Sequence, residues 1–284
     1  GTRYAVAMSS GTAPLEVALR YWEVAGGEVV MTTNTFMATV HAAQLAGARP
    51  VLADIDPACL SSTRAQLAPL VSPRTRAVVA AHTLGNPFEL EAVTAFAKRH
   101  GLWLVEDACD ALGSLYDGRA VGTFGDLATL SFYPAHQITT GEGGAVLTSR
   151  AFLKPIVESF RDWGRDCWCE PGEDDTCGMR FAFQLGSLPA GYDHKYIYSH
   201  LGYNLKLTDM QAAVGVAQLA KLDGFVAARR RNWQTLRDGL LAHEDVLLLP
   251  EPTPGSEPSW FGFLFTVRPE APFTRAQLVA HLES

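Results

Sequence analysis

Apolar positions alternate between two periods along the first half of the chain. From Thr12 to Ala25 they recur at helical spacing and stop at Gly26-Gly27, which predicts a helix. Glu28-Val29-Val30-Met31 reads as a short strand, Met37 to Leu45 as a helix, and Pro50 to Asp54 as a strand. Thr75 to Ala81 has the apolar density of a buried strand. Leu90 to His100 is a helix ended by Gly101, and Leu102 to Val105 is a strand running into Glu106-Asp107. Ala128 to Tyr133 and Ala145 to Thr148 complete the rhythm. Such alternation predicts an α/β fold, a mostly parallel sheet with helices on both faces.

Residues 164–204 break the pattern: they are rich in Gly, Pro, Asp, Cys and aromatics and show no period. Loops of that length are usually functional or disordered. The aromatics from Phe181 to Tyr203 argue against disorder. A long helical region is predicted from Thr208 to about His243, then a strand over Trp260 to Val267. We therefore expect a large α/β domain over 1–225, with 164–204 as a cysteine-rich insertion. Residues 226–284 are expected to open a smaller C-terminal α+β domain. The chain starts at Gly1 and stops at Ser284, where Thr274 to Val279 begins to read as a helix, so both termini are expected to continue.

Composition narrows the class. Of 284 residues, 48% are hydrophobic and 19% charged, enough for a substantial core. The net charge of -7, with no basic run beyond Arg229-Arg230-Arg231, argues against nucleic acid as the main partner. No apolar run approaches the ~20 residues that span a bilayer. A cytoplasmic protein with no membrane partner is expected.

Four segments carry candidate chemistry. Cys109, Cys167, Cys169 and Cys177 form one group: three thiols within a Gly/Pro-rich loop and one just past a strand end. Four thiolates around one centre suit an iron–sulfur cluster or a structural zinc, and buried free thiols are the plainer alternative. Cys59 stands apart as an ordinary thiol. Ser9-Ser10-Gly11-Thr12 opens the first helix, where free N–H groups and the dipole suit a phosphate, although Ser and Thr are also plain caps. Asp107 ends a buried strand, where ligands bind in open α/β sheets. It could pair with a protonated ring nitrogen or cap backbone amides. His136 lies in a turn from Ser131 to Gly144 rich in hydroxyls and Gly, placed either to serve as a general base or to pack.

Ser10-Gly11-Thr12, Thr35-Phe36, Glu106-Asp107-Ala108, Ser131 to Gly144, and Gly202-Tyr203-Asn204 through Thr208 to Ala213 resemble the DegT/StrS-type sugar aminotransferases over nearly the whole chain. The resemblance implies the aspartate-aminotransferase fold (PLP-dependent fold type I), a homodimer, and nucleotide-linked keto sugars as substrates. It also implies that 1–225 is the cofactor-binding domain. One departure stands out: the lysine that holds pyridoxal phosphate (PLP) in these enzymes is His136 here, and no lysine occurs from 99 to 153. An imidazole cannot form the covalent link, so the cofactor is expected to be non-covalent pyridoxamine phosphate (PMP). With the four-cysteine spacing, this looks like the 2Fe-2S-dependent 3-dehydrases of CDP- or TDP-linked 6-deoxy-4-hexuloses.

That resemblance implies roles. Asp107 pairs with the pyridine nitrogen and Phe36 stacks on the ring. Gly11, Thr12 and Ser131 hold the phosphate, and Asn204 reaches in from a partner subunit. His136 moves a proton at the cofactor methylene, the C3 hydroxyl leaves, and a reductase or ferredoxin delivers electrons through a cluster held by Cys109, Cys167, Cys169 and Cys177. Cys109 is two residues past Asp107, roughly 7 Å along an extended chain, which puts such a cluster near the ring edge. Where the aminotransferases carry Gln, this chain has Asp110, so no cofactor-oxygen role carries over there. The alternatives are a cluster-free PMP dehydrase, a PLP sugar aminotransferase, or a non-catalytic zinc protein. His194, Lys195, Tyr196 and Tyr198 are candidates for sugar or nucleotide contact, or for packing a dimer interface.

Overall fold

The computed structural model describes residues 1–22, 24–169 and 172–284. Glu23, in the predicted first helix, and Glu170 and Pro171, in the cysteine-rich stretch, lie outside the described residues. The first half runs β1 (Tyr4–Met8), α1 (Thr12–Tyr21), β2 (Glu28–Thr32), α2 (Met37–Leu45), β3 (Arg49–Ala53), α3 (Arg64–Leu67), β4 (Thr75–Ala81), α4 (Leu90–Arg99) and β5 (Trp103–Asp107). The second half runs β6 (Leu115–Tyr116), β7 (Arg119–Ala120), β8 (Leu127–Ser131), β9 (Gly144–Thr148), α5 (Leu153–Arg161), α6 (Asp209–Leu219), α7 (Leu222–Leu240), β10 (Leu247–Leu248), β11 (Ser256–Glu257), β12 (Thr266–Val267) and α8 (Arg275–Leu282).

Seven strands form one sheet in the order β1-β9-β8-β5-β4-β2-β3. The strands β3, β2, β4, β5 and β8 pair in parallel. β9 is antiparallel to both β8 and β1. The edge strand β1 is an addition to the pattern read from sequence: its residues alternate in exposure and it pairs only at one edge. Because strand side chains alternate between faces, β2 and β4 feed two cores. Val29, Met31, Ala77 and Val79 pack with α1, α2 and α5 on one face. Val30, Val78 and Ala80 pack with Leu67, Leu90, Val93 and Phe96 on the other. Each fully buried Val or Leu contributes about 1.5–3 kcal/mol relative to exposure.

The second half departs from the sequence pattern in two places. The long helical region is two helices, separated at Ala220-Lys221, with Asp223 in the first turn of α7, where its charge suits the helix dipole. The predicted strand over Trp260 to Val267 forms a ladder only at Thr266–Val267, against Leu247–Leu248. Its first residues pack instead of pairing: Trp260 stacks on Trp233 at 4.2 Å, and the Phe261 amide donates to the Leu84 carbonyl at 2.8 Å. Among the described residues of 164–204 there is one short 3-10 turn, His194–Tyr196, and the stretch is joined by isolated bridges and by Arg180–Asp193 and Lys195–Asp174 ion pairs. No helix is long and apolar enough to cross a membrane among the described residues.

Candidate active site

The carboxyl ends of β1, β2, β5 and β8 lie along one edge of the sheet, and the segments that follow them carry the candidate residues. Asp107, the last residue of β5, is buried. Its Oδ2 accepts from the Thr39 hydroxyl of α2 at 3.1 Å. Its Oδ1 accepts from the Thr129 hydroxyl of β8 at 3.1 Å and from the Cys109 amide at 3.3 Å. Thr129 faces Asp107 directly across the β5–β8 ladder. Among the described residues these partners are hydroxyls and an amide, so a buried carboxylate is oriented from both sides yet lacks a cation. Buried charge of that kind calls for a counter-charge. A protonated ring nitrogen fits that donor set.

Gly11 precedes α1 and its own backbone carries the approach. A Cβ at Gly11 would lie 2.6 Å from Ser131 Cβ, 2.9 Å from Ser131 Oγ and 3.2 Å from Cys109 Sγ. The start of α1 is thus pressed against the end of β8. No acidic side chain stands in the first turn of α1; the Ser10 hydroxyl accepts from the Ala13 amide at 3.2 Å and Pro14 has no N–H, so the Gly11 and Thr12 amides are the ones an anion could meet. Thr32 and Thr35, at the end of β2, have buried hydroxyls without partners among the described residues. Phe36 caps the start of α2 with its ring 77% exposed, one turn before Thr39. These orphaned hydroxyls and the Gly11 cradle fit a phosphorylated pyridine cofactor.

His136 stands in the turn after β8. Its Nδ1 lies 3.3 Å from Asp110 Oδ1. Its ring packs against Phe261 at 5.3 Å and Tyr133 at 6.2 Å. The next residue, Gln137, is buried, and its Nε2 donates to the Asp110 carbonyl and to the Ser259 carbonyl, the latter at 3.0 Å. Behind the site Glu106 is fully buried and accepts from the Gly122, Phe124 and Gly125 amides at 2.6–2.7 Å, with His82 Nε2 at 3.2 Å. Burial acts to raise its pKa, but His82 and the amides outweigh this and hold it below the usual carboxylate value.

The thiols fall into two places. Cys109 lies in the pocket, 3.7 Å from Thr129 Oγ1, and burial together with the Asp107 charge pushes its thiol well up. In the loop, Cys169 shares hydrogen bonds with the Cys167 and Cys177 thiols. The Thr176 hydroxyl, followed by the Cys177 amide, lowers the Cys169 thiol from 9.0 to about 7. Cys177 Sγ also lies 3.8 Å from Nε2 of buried His194. Among the described residues no group of three His, Cys, Asp or Glu side chains stands ready to hold a metal ion.

Asn204 bridges to Asp162 and accepts from Lys206 Nζ at 2.6 Å, and its neighbour Leu205 accepts from the Ser9 amide at 2.8 Å. Within one chain these contacts keep it beside the end of β1 and not on Asp107. Of the four aromatic-loop candidates, His194 is buried on Cys177 and Lys195 pairs with Asp174, while Tyr196 and Tyr198 are exposed. Sequence reasoning missed Thr39, Thr129, Gln137 and Phe261. Thr39 lies 68 positions from Asp107 and Phe261 lies 125 positions from His136, so only the fold brings them to the site.

A mostly parallel sheet with helices on both faces and a buried acid at a strand end fit the PLP-dependent fold type I. The chain belongs to the DegT/DnrJ/EryC1/StrS aminotransferase family, which it matches over residues 1–284. It is 54% identical over 281 residues to a dTDP-4-dehydro-2,6-dideoxy-D-glucose 3-dehydratase of Saccharopolyspora spinosa, covering 98% of this chain and 60% of that protein. It is 52% identical over 258 residues to the lipopolysaccharide biosynthesis protein RfbH of Salmonella typhimurium, covering 91% and 59%. Among solved structures, an E. coli GDP-4-keto-6-deoxy-D-mannose 3-dehydratase with bound hydrated PLP superposes with a TM-score of 0.85 at 27% identity, covering 100% and 72%. The chain thus spans about 60% of the length of these two curated relatives.

Proposed function

We propose that the chain is the cofactor-binding part of a 3-dehydratase acting on a nucleotide-linked 4-keto-6-deoxy-hexose, with PMP as cofactor. The observation that carries the reading is His136, seated beside Asp110 at the end of β8, in the position where the resembling aminotransferases have their lysine. When bound, PMP supplies the amine that condenses with the sugar ketone and a ring that accepts electrons. The chain supplies the rest. Asp107, oriented by Thr39 and Thr129, holds the ring nitrogen protonated. Gly11, Thr12 and Ser131 receive the phosphate, and Phe36 covers the ring. His136 takes a proton from the cofactor methylene carbon and can return it to the departing C3 hydroxyl.

The finer reading is a reducing enzyme that gives a 3,6-dideoxy sugar. Its support is the cysteine spacing, with Cys109, Cys167, Cys169 and Cys177 as ligands of a 2Fe-2S cluster and a reductase or ferredoxin as donor. A second reading is a cluster-free PMP dehydratase; a PLP aminotransferase is disfavoured because it needs the lysine. Iron and sulfide content of anaerobically purified protein decides between the first two. The S. spinosa relative's dTDP-linked substrate favours TDP over CDP. A homodimer is proposed: α6 buries none of its side chains and exposes Met210, Val216 and Leu219, and Asn204 would approach the partner's site. The direct test is incubation of PMP-loaded protein with TDP- and CDP-linked 4-keto-6-deoxy sugars. Loss of water from the sugar, abolished in His136→Asn, is the expected result. Amino-sugar formation without water loss would overturn the reading.

A further inference from the structure

We infer that Asp110 and His136 form a carboxylate–imidazole pair in which Asp110 fixes the proton on His136 Nδ1 and so leaves Nε2 as the base. The inference rests on the proposed function above and adds a positioning residue to it. Nδ1 is buried and lies 3.3 Å from Asp110 Oδ1, within ion-pair distance but out of hydrogen-bond alignment, and it has no hydrogen-bond partner among the described residues, so the proton it needs to place is unclaimed. Contacts of this kind in ligand-free sites are commonly long and tighten on loading. The pair is built from both sides. Gln137, the residue after His136, grips the Asp110 carbonyl through its own side chain and is itself held by the Ser259 carbonyl. Phe261 packs on the imidazole, and its carbonyl accepts from Arg229 at 3.3 Å. His136 is the one side chain within ion-pair distance of the Asp110 carboxylate among the described residues. Asp110 also shares its turn with Asp107, so one short segment supplies a carboxylate to the ring nitrogen and another to the base.

The chemistry follows from the pairing. A neutral histidine carries one ring proton, and a carboxylate facing Nδ1 selects the tautomer with that proton on Nδ1. The lone pair then sits on Nε2. When the methylene C–H bond breaks, the proton forms an N–H bond at Nε2 and the electron pair stays with the cofactor. The resulting imidazolium is stabilised by the Asp110 charge, and Asp110 itself keeps no proton. An uncharged amide at position 110 would remove this stabilisation and could present an N–H to Nδ1, selecting the wrong tautomer.

The test combines Asp110→Asn, Asp110→Glu and His136→Asn. Nitrogen NMR of histidine-labelled free protein reads the tautomer directly, with the His136 signals assigned by their loss in His136→Asn. Wild type is expected to be protonated at Nδ1, and Asp110→Asn to shift population to Nε2–H. In PMP-loaded protein, solvent exchange of the methylene hydrogens should slow roughly 10²-fold in Asp110→Asn, a smaller effect than the ~10⁴ of a fully buried triad because this carboxylate is partly exposed. PMP affinity and KM should hold while kcat falls, and Asp110→Glu should recover part of the exchange rate. Nε2–H already dominant in wild type, an unchanged exchange rate in Asp110→Asn, or loss of PMP binding with no tautomer change would each overturn the inference. Exchange that persists in His136→Asn would instead refute the base assignment on which the proposed function stands, while the NMR result would still decide the pairing.

Discussion

Gly11→Ala tests how closely the start of α1 approaches β8. The residue has φ -70°, so alanine meets no backbone strain and the cost is steric. The added Cβ would stand 2.6 Å from Ser131 Cβ, which the β8 ladder holds in place against Gly144. An unforced carbon–carbon contact is about 3.5–4.0 Å, so roughly 1 Å must be absorbed by moving α1 off the sheet edge. Overpacking of that kind costs about 1–3 kcal/mol. For a chain of this size each kcal/mol lowers the melting temperature by about 2–4 °C, so a fall of about 2–12 °C is expected. The same shift withdraws the helix N-terminus from the phosphate position, so PMP affinity should fall about 10-fold for each 1.4 kcal/mol lost. Thermal unfolding and equilibrium PMP binding measure the two effects. Gly224→Ala in α7 is the control: no atom lies within 4 Å of its Cβ, and alanine in a helix should be neutral or stabilising by up to about 1 kcal/mol. Equal melting temperatures and equal PMP affinity for the two variants would refute the close approach.

Glu106→Gln leaves His82 and three amides facing a neutral group in a fully buried site, and should destabilise by about 3–5 kcal/mol in urea unfolding. A loss under 1 kcal/mol would show that the carboxylate is not holding the 122–125 turn. Glu28, at the start of β2, has its carboxyl lowered from 4.5 to about 2, chiefly by the Arg49 hydrogen bond and then by Ser72. A depressed folded pKa means stability that is complete above pH 4.5 and lost as pH falls toward about 2. Melting temperatures of wild type and Glu28→Gln should therefore converge across that window; parallel curves would contradict the assignment. In metal-free protein at neutral pH, site-resolved alkylation should label Cys169 before Cys167 and Cys109 last, because Thr176 stabilises the Cys169 thiolate and burial beside Asp107 suppresses that of Cys109. Labelling of Cys109 first would reverse this picture.

Much of the fold was legible from residues alone, because helix and strand periods are local. Met37–Leu45 and Thr75–Ala81 fall where their apolar spacing puts them. Asp107, Gly11 and Ser131 were legible as candidates because they end a strand or begin a helix, and in this architecture those positions share one sheet edge. The sequence also carried the histidine in the lysine position and the cysteine spacing. What it could not show is set by long-range packing. Trp260 to Phe265 has strand-like residues yet forms no ladder, because Trp233 and Leu84 take its first residues before a partner strand can. Thr39 and Thr129 reach Asp107 from other elements, and Asp110 meets His136 only because Gln137 draws the two turns together. Local period determines which elements form; which side chains then meet is decided by how those elements are covered, and that depends on contacts a hundred residues apart.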